Sequence, residues 1–411
     1  MRDPHPSDPT GNDTVGRRLH RLPTGPKTLL AVFLLWGAIY VSKMLSRLGV
    51  INGENFYPNP VARWITGLLQ LLPFSVVEVA GALLVAACII GVLLPIRCLY
   101  KGTRRLKTVM LRGFLYVLAV VLLVDCWGGL ATGVRVKYLS EDLHWLASEM
   151  SPIEPSAIAT WANELIVKIN AHHDAITNEQ TFRRRSQEGF RPFIDAATDR
   201  GLERSLSELH VTSDYTVPFI RSKPLLLSTL LYRIGLLGYF SPYTQEVNYV
   251  FATPEIQLPY AIAHEKAHAL GIGREDEATF LGYLACAYSG DVATEQSGYW
   301  HVLTLLLLRL RELDEPRYLE TVAKMSPVVR QQFEDSLALG RHNDPGTFDW
   351  FESAWDISIQ VGGDARGLSA YSDLSVIYKY ARQNGDSILP LPVAASPADA
   401  IRTSMPRPNP S

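Results

Sequence analysis

The chain has 411 residues, enough for two or three domains, with 39 basic against 41 acidic residues and a net charge of -2. That balance gives no bulk basic excess for nucleic acid, and no nucleic-acid partner is expected. Hydrophobic residues make up 47 % of the chain and charged residues 19 %, an apolar balance whose excess lies near the N-terminus.

Three apolar segments come first. Thr28–Ser42 is free of charge, and extended to about residue 45 it approaches the roughly 20 residues that cross a bilayer. Val76–Ile96 carries only Glu78, and Gly113–Ala131 only Asp125 near its end. The reading is a cytoplasmic tail (1–27), then a membrane anchor (28–132) with spans at about 28–45, 76–96 and 113–131. Arg17, Arg18, Arg21 and Lys27 precede the first span, and Arg97, Lys101, Arg104, Arg105, Lys107 and Arg112 surround the second loop. The intervening loop carries only Lys43, Arg47 and Arg63. The positive-inside bias therefore predicts a cytoplasmic N-terminus and an extracytoplasmic C-terminal domain over 133–389. Asp125 falls near the outer boundary, at headgroup level. Cys88, Cys98, Cys126 and Cys286 form no closely spaced framework, so no structural disulfide is expected.

The C-terminal domain reads as mainly α with a small strand element. Pro155–Ala171 and Gly201–Leu209 have amphipathic spacing, and Arg183, Arg184 and Arg185 between them read as a solvated face. Leu225–Leu237 reads as a buried or membrane-apposed helix. Gln245–Phe251 alternates like a half-buried strand, and Glu246 and Asn248 on it are candidates for an edge that holds a substrate backbone. His301–Leu310 reads as a further helix. After Leu389 the composition turns to Pro, Ala and Ser, a disordered tail over 390–411.

The chemistry concentrates in Leu258–Tyr288. His264-Glu265-Lys266-Ala267-His268 is an HExxH pattern. On a helix, residues four apart share a face, so both imidazoles reach one ion and Glu265 lies where its carboxylate can take a proton from water at the metal. The preceding apolar run buries the helix, where unpartnered histidines would be costly. Gly271 and Gly273 then let the chain turn into a second helix that opens with Glu275, Asp276 and Glu277. His, His and Glu at an open site suit Zn²⁺.

Glu275 with Ala278 and Thr279 resembles the ExxAD run of CAAX-processing and HtpX-like membrane proteases. That resemblance makes Glu275 the third ligand, with Glu277 as the alternative, and Thr279 departs from the pattern where a supporting Asp would stand. Through Gly271 the HExxHxxG run is also similar to that of the metzincins, but Arg274 stands where their third histidine would fall. The whole arrangement resembles a family of bacterial membrane proteins, domain-of-unknown-function family 3810, grouped with gluzincin-like HExxH metallopeptidases. The resemblance is carried by Leu72–Val76, Ser241–Glu246, Leu258–Pro259, Glu275–Ala278 with Phe280 and Leu281, Ser297–Tyr299 and Gly367–Tyr371. It implies an extracytoplasmic metallopeptidase fold without a known substrate; the expected activity is hydrolysis of a protein or peptide at the membrane surface or in the cell envelope. Tyr299 and Tyr371 are candidate donors to a tetrahedral oxyanion. His172, His173 and His301 read as packing or surface residues. The competing readings are a non-enzymatic membrane scaffold or sensor that keeps the metal, and a protease with the HEKAH helix inside the bilayer.

Overall fold

The computed structural model describes residues 67–100, 113, 139–148, 152–178, 190–211, 220–233, 235–241, 244–342, 356 and 366–390. The first and third expected spans (Gly113 apart), Asp125, the Arg183–Arg185 run and the C-terminal tail lie outside them. The chain divides into two compact units, one comprising residues 1–135 and 241–245 and the other 136–240 and 246–411.

In the first unit, helix α1 (Val76–Tyr100) covers the second apolar segment. Glu78 in its first turn and Arg97 in its last oppose the helix dipole at each end. Leu83, Val85, Ile89, Ile90 and Leu93 are each more than half exposed. Among the described residues no helix is long and apolar enough to cross a membrane; nine side chains within α1, among them Ile96, lie outside that description.

The second unit is mainly helical. Short helix α2 (Leu139–Asp142) is followed by the long α3 (Pro155–Asn178), α4 (Phe190–Glu208), and the six-residue α5 (Ser228–Arg233). Then come α6 (Leu258–Ala269), α7 (Glu275–Ala287), α8 (Val292–Leu313), α9 (Glu315–Val322), α10 (Pro327–His342) and α11 (Ser375–Gln383). Helix α3 starts on Pro155, which suits a first helical position because its missing N–H would be unpaired there anyway. Its buried Ile158, Ala162, Leu165, Ile166 and Ile169 follow the helical repeat and form one stripe. The facing stripe on α8 is Tyr299, Val302, Leu303, Leu306, Leu307 and Leu310. Asp291 caps α8, accepting the backbone N–H of Thr294 at 2.9 Å.

A three-stranded sheet completes the unit, with β1 (Lys223–Pro224), β2 (Gly238–Ser241) and β3 (Glu246–Tyr249) in the order β1-β3-β2. Strands β1 and β3 are parallel, Lys223 opposite Asn248. Four residues join β2 to β3, too few for a crossover, so that pair is antiparallel.

The strand predicted at Gln245–Phe251 is therefore present but central. Its backbone is flanked on both sides, so the expected substrate edge at Glu246 and Asn248 is corrected. Glu246 is buried in an ion pair with Lys223, and the Asn248 amide donates to the Tyr239 and Glu246 carbonyls. The helix expected over Leu225–Leu237 shrinks to α5: Leu225 donates its N–H to Tyr249, and Gly235 takes a left-handed φ of 82°. The amphipathic segments also run further than expected, to Asn178 for α3 and back to Phe190 for α4.

Candidate metal centre

Helix α6 is enclosed by α4, α7, α8 and β3, and every residue in it except His268 is buried. A helix carrying His264, Glu265 and Lys266 can be that deeply placed only if each finds a partner, and the three point to different ones. Lys266 faces α4, its Nζ 2.6 Å from Asp199 and 3.1 Å from Asp195. Burial raises the Asp199 pKa, opposed by the adjacent Lys266. Asp195 also accepts the Ser222 N–H, so one buried cation ties α6, α4 and the approach to β1 together.

The histidines face α7. Gly271 takes a φ of 98° and ends α6, and the chain re-enters a helix at Glu275. Gly282 lets α7 lie against the backbone of His264, where a Cβ would come within 3.1 Å of both His264 Cα and N. Glu275 Oε2 then lies 3.2 Å from His264 Nε2 and 3.2 Å from His268 Nε2, and the two Nε2 atoms are 3.1 Å apart. Three donor atoms from three residues converge on one point. His268 Nδ1 is 2.8 Å from the Ile272 carbonyl, which only accepts, so Nδ1 carries the proton and a neutral His268 presents its Nε2 lone pair to the cluster.

This donor set fits a zinc ion. Zinc held at about 2.0–2.1 Å by tetrahedral ligands sets neighbouring donors about 3.3–3.4 Å apart, close to the spacing of this triangle. Without a cation, the 3.1 Å between the two imidazole nitrogens needs one N–H between them, which a neutral Nε2–H tautomer of His264 supplies. Burial works to lower the His268 pKa, but Glu275 overrides it and raises the pKa to about 9. For Glu275, burial pushes upward and the histidines win, holding the carboxyl well below its usual range. The Glu275 carboxylate thus favours positive charge on the His268 beside it.

Glu265 lies beside the triangle. Its carboxylate lies near the Phe240 backbone of β2, and burial raises its pKa against the pull of His264 and His268. Gly238, two residues earlier on the same strand, is in direct contact: a Cβ there would be 2.7 Å from Glu265 Cγ and 2.9 Å from Oε1. Strand β2 is the backstop of this carboxylate.

The remaining candidates separate. Glu277 turns away and accepts the Leu139 N–H at 2.7 Å, capping α2; burial pushes its pKa up to about 7. Glu275, not Glu277, joins the histidines. Tyr371 comes to the cluster, its ring stacked 5.8 Å from that of His264. The clamp that carries it there is Arg366, which donates to both carboxylate oxygens of buried Asp276 at 2.7 and 2.8 Å. Tyr299 sits elsewhere, against His172 and Tyr283, and lines a cavity of about 450 Å³ with Lys168, Arg204, Tyr288 and Glu295. His301 stacks on Tyr260 at 3.7 Å. Among the described residues Thr279 makes no hydrogen bond to either histidine, so the Ile272 carbonyl, a backbone group, orients His268.

Gly238, Phe240, Asp195, Asp199, Arg366 and the Ile272 carbonyl were not singled out by the sequence. Asp195 and Asp199 did carry a signal, two acids four apart on one helix face. The others depend on contacts between distant segments.

Fold and cluster together define a mainly helical protein with a two-histidine, one-glutamate constellation on adjoining helices. The chain belongs to the family described as Protein of unknown function (DUF3810), which matches residues 54–376. No curated protein and no solved structure matches it.

Proposed function

We propose that this protein is a membrane-anchored, zinc-dependent metallopeptidase that hydrolyses peptide bonds of a protein or peptide at the membrane or in the cell envelope. The observation that carries the reading is the triangle of His264, His268 and Glu275 donors at 3.1–3.2 Å with Glu265 beside it. Similarity to gluzincin-like HExxH enzymes and the three-span topology with an extracytoplasmic domain belong to the same proposal. The exposed apolar side chains of α1 and the basic loops of the sequence support the anchor.

His264, His268 and Glu275 would hold the ion. Bound there, zinc would supply Lewis acidity and bring the ionisation of a water to near neutral pH. Glu265 takes the proton from the attacking water and passes it to the nitrogen leaving the cleaved amide, so no covalent enzyme intermediate forms. The close approach of Gly238 confines that carboxylate from the β2 side. Tyr371, whose ring stacks on that of His264, would donate to the oxyanion as the carbonyl becomes tetrahedral. With β3 paired on both sides, β2 is the strand beside Glu265 along which an extended substrate could lie.

Glu265 distinguishes this proposal from a metal-keeping scaffold, which needs no proton acceptor beside its ion. The test is to incubate the purified full chain in detergent with a proteome-derived peptide library and read new termini by mass spectrometry. Cleavage by the wild type, lost with Glu265→Gln and with chelator and restored by zinc, supports the enzyme. An inert, zinc-loaded wild type across such libraries supports the scaffold.

A further inference from the structure

We infer that the β1–β2 crossover of the second unit is a lipid-contacting face, which lays the metal centre's domain on the membrane surface. The inference rests on the membrane-anchored reading above and extends it to the surface of the candidate catalytic unit. Leu226 and Leu227, just before α5, are 69 % and 56 % exposed, Leu230 within it is 47 % exposed, and Phe251 is 57 % exposed. The two segments that carry them adjoin: the Phe251 N–H donates to Ser228 Oγ, and the Leu225 N–H to the Tyr249 carbonyl. Other exposed apolar residues of this unit, such as Val167, Leu319 and Val328, are set apart in sequence on different helices, as on any soluble surface. Three large apolar side chains on one six-residue helix and its N-terminal flank, with Phe251 hydrogen-bonded to the same helix, are a different kind of feature.

Charge selects the occupant. From Tyr215 to Gln245 the chain has no Asp or Glu, and its only charged residues are Arg221, Lys223 and Arg233. Lys223 is consumed in the buried pair with Glu246. Arg221 and Arg233 have no ion pair or hydrogen bond among the described residues, and they bracket the apolar cluster. Apolar side chains flanked by uncompensated cations suit an anionic lipid surface, into which such a face sinks about 5–10 Å. A second copy meeting this face across a two-fold axis would bring arginines toward arginines. The same crossover leads directly into β2, whose Gly238 lies against Glu265. Lipid contact here would favour substrates whose cleaved segment lies at the bilayer surface over freely diffusing ones.

The test places an environment-sensitive dye at Leu227→Cys, Leu230→Cys or Leu319→Cys in the full chain, with Cys88, Cys98 and Cys126 replaced by Ser and Cys286 left in its buried position. Each variant is reconstituted in phosphatidylglycerol or phosphatidylcholine vesicles carrying acyl-chain nitroxides. At positions 227 and 230, quenching about twofold or more above that at 319, and stronger with phosphatidylglycerol, is expected. Equal quenching at all three sites, in a chain that alkaline washing leaves in the vesicles, overturns this inference and leaves the anchor intact. Release of the chain by that wash overturns both. Dyes at 227 and 230 shielded from aqueous iodide equally in lipid and in detergent, without nitroxide quenching, assign the face to a second copy and overturn the lipid assignment.

Discussion

Gly238→Ala isolates the role given to Glu265. The added Cβ would lie 2.7 Å from Glu265 Cγ and 2.9 Å from Oε1, with the Asn248 carbonyl oxygen 3.1 Å away on the neighbouring strand. Carbon atoms rest at about 3.5–4.0 Å, so the Glu265 side chain must retreat by about 1 Å. The Asn248 carbonyl oxygen crowds the new methyl as well, so the methyl itself has little room to move away. A misplacement of that size costs about 100-fold in rate, close to 3 kcal/mol of transition-state stabilisation. None of His264, His268 and Glu275 is among the atoms nearest the new methyl, so zinc content should stay at the wild-type level. The assay is kcat/KM on a peptide cleaved by the wild type, with zinc measured on the same preparation. Pairing with Glu265→Asp, whose shorter side chain makes room, should remove most of the added penalty. Wild-type kcat/KM in a zinc-loaded Gly238→Ala protein would refute the reasoning, and so would loss of zinc from a folded one.

Glu277→Gln should keep full zinc content and lower thermal stability by about 1 kcal/mol, since it weakens a buried cap on the Leu139 N–H and removes no ligand; loss of metal would instead make Glu277 a ligand. Lys266→Met leaves Asp195 and Asp199 facing each other without their cation and should cost about 3–5 kcal/mol by denaturant unfolding; an unchanged midpoint would show that the buried pair holds nothing together. The metal-free protein should lose stability from neutral to alkaline pH. His268 has a folded pKa of about 9, above its unfolded value of 6.5, so its contribution is complete below pH 6.5 and is lost as pH rises through 9. Zinc affinity should rise over the same window, because the ion needs the neutral imidazole. Unfolding of chelated protein at pH 6 and pH 9, beside zinc titrations, measures both, and a metal-free protein more stable at pH 9 than at pH 6 would contradict the assignment.

The sequence carried the local part of the site and missed the part assembled across distance. His264, Glu265 and His268 share one helix, so their spacing alone places them. Glu275 was legible because the turn at Gly271 is short and the next helix opens with acids, but choosing it over Glu277 needed the fold. Two positions along a helix turn the side chain away, and Glu277 finds a backbone N–H from residue 139. Strand β2 was hidden because Leu225–Leu237 has the apolarity of a helix, while Gly235 breaks it and Gly238 starts a strand. A glycine within a strand marks close backbone approach, yet nothing in the sequence names Glu265 as the group that approaches. Likewise Tyr299 and Tyr371 look alike in sequence. The fold tells them apart: near the Arg366–Asp276 clamp, which spans 90 residues, Tyr371 reaches His264.

The most direct test of the central claim is metal content by elemental analysis of the full chain purified in detergent, beside His264→Ala, His268→Ala, Glu275→Gln, Glu265→Gln and Glu277→Gln. The account predicts about one zinc per wild-type chain, lost or much weakened in the first three variants and retained in the last two. A folded wild type that holds no zinc after zinc is supplied, or whose zinc survives loss of either histidine, would contradict it.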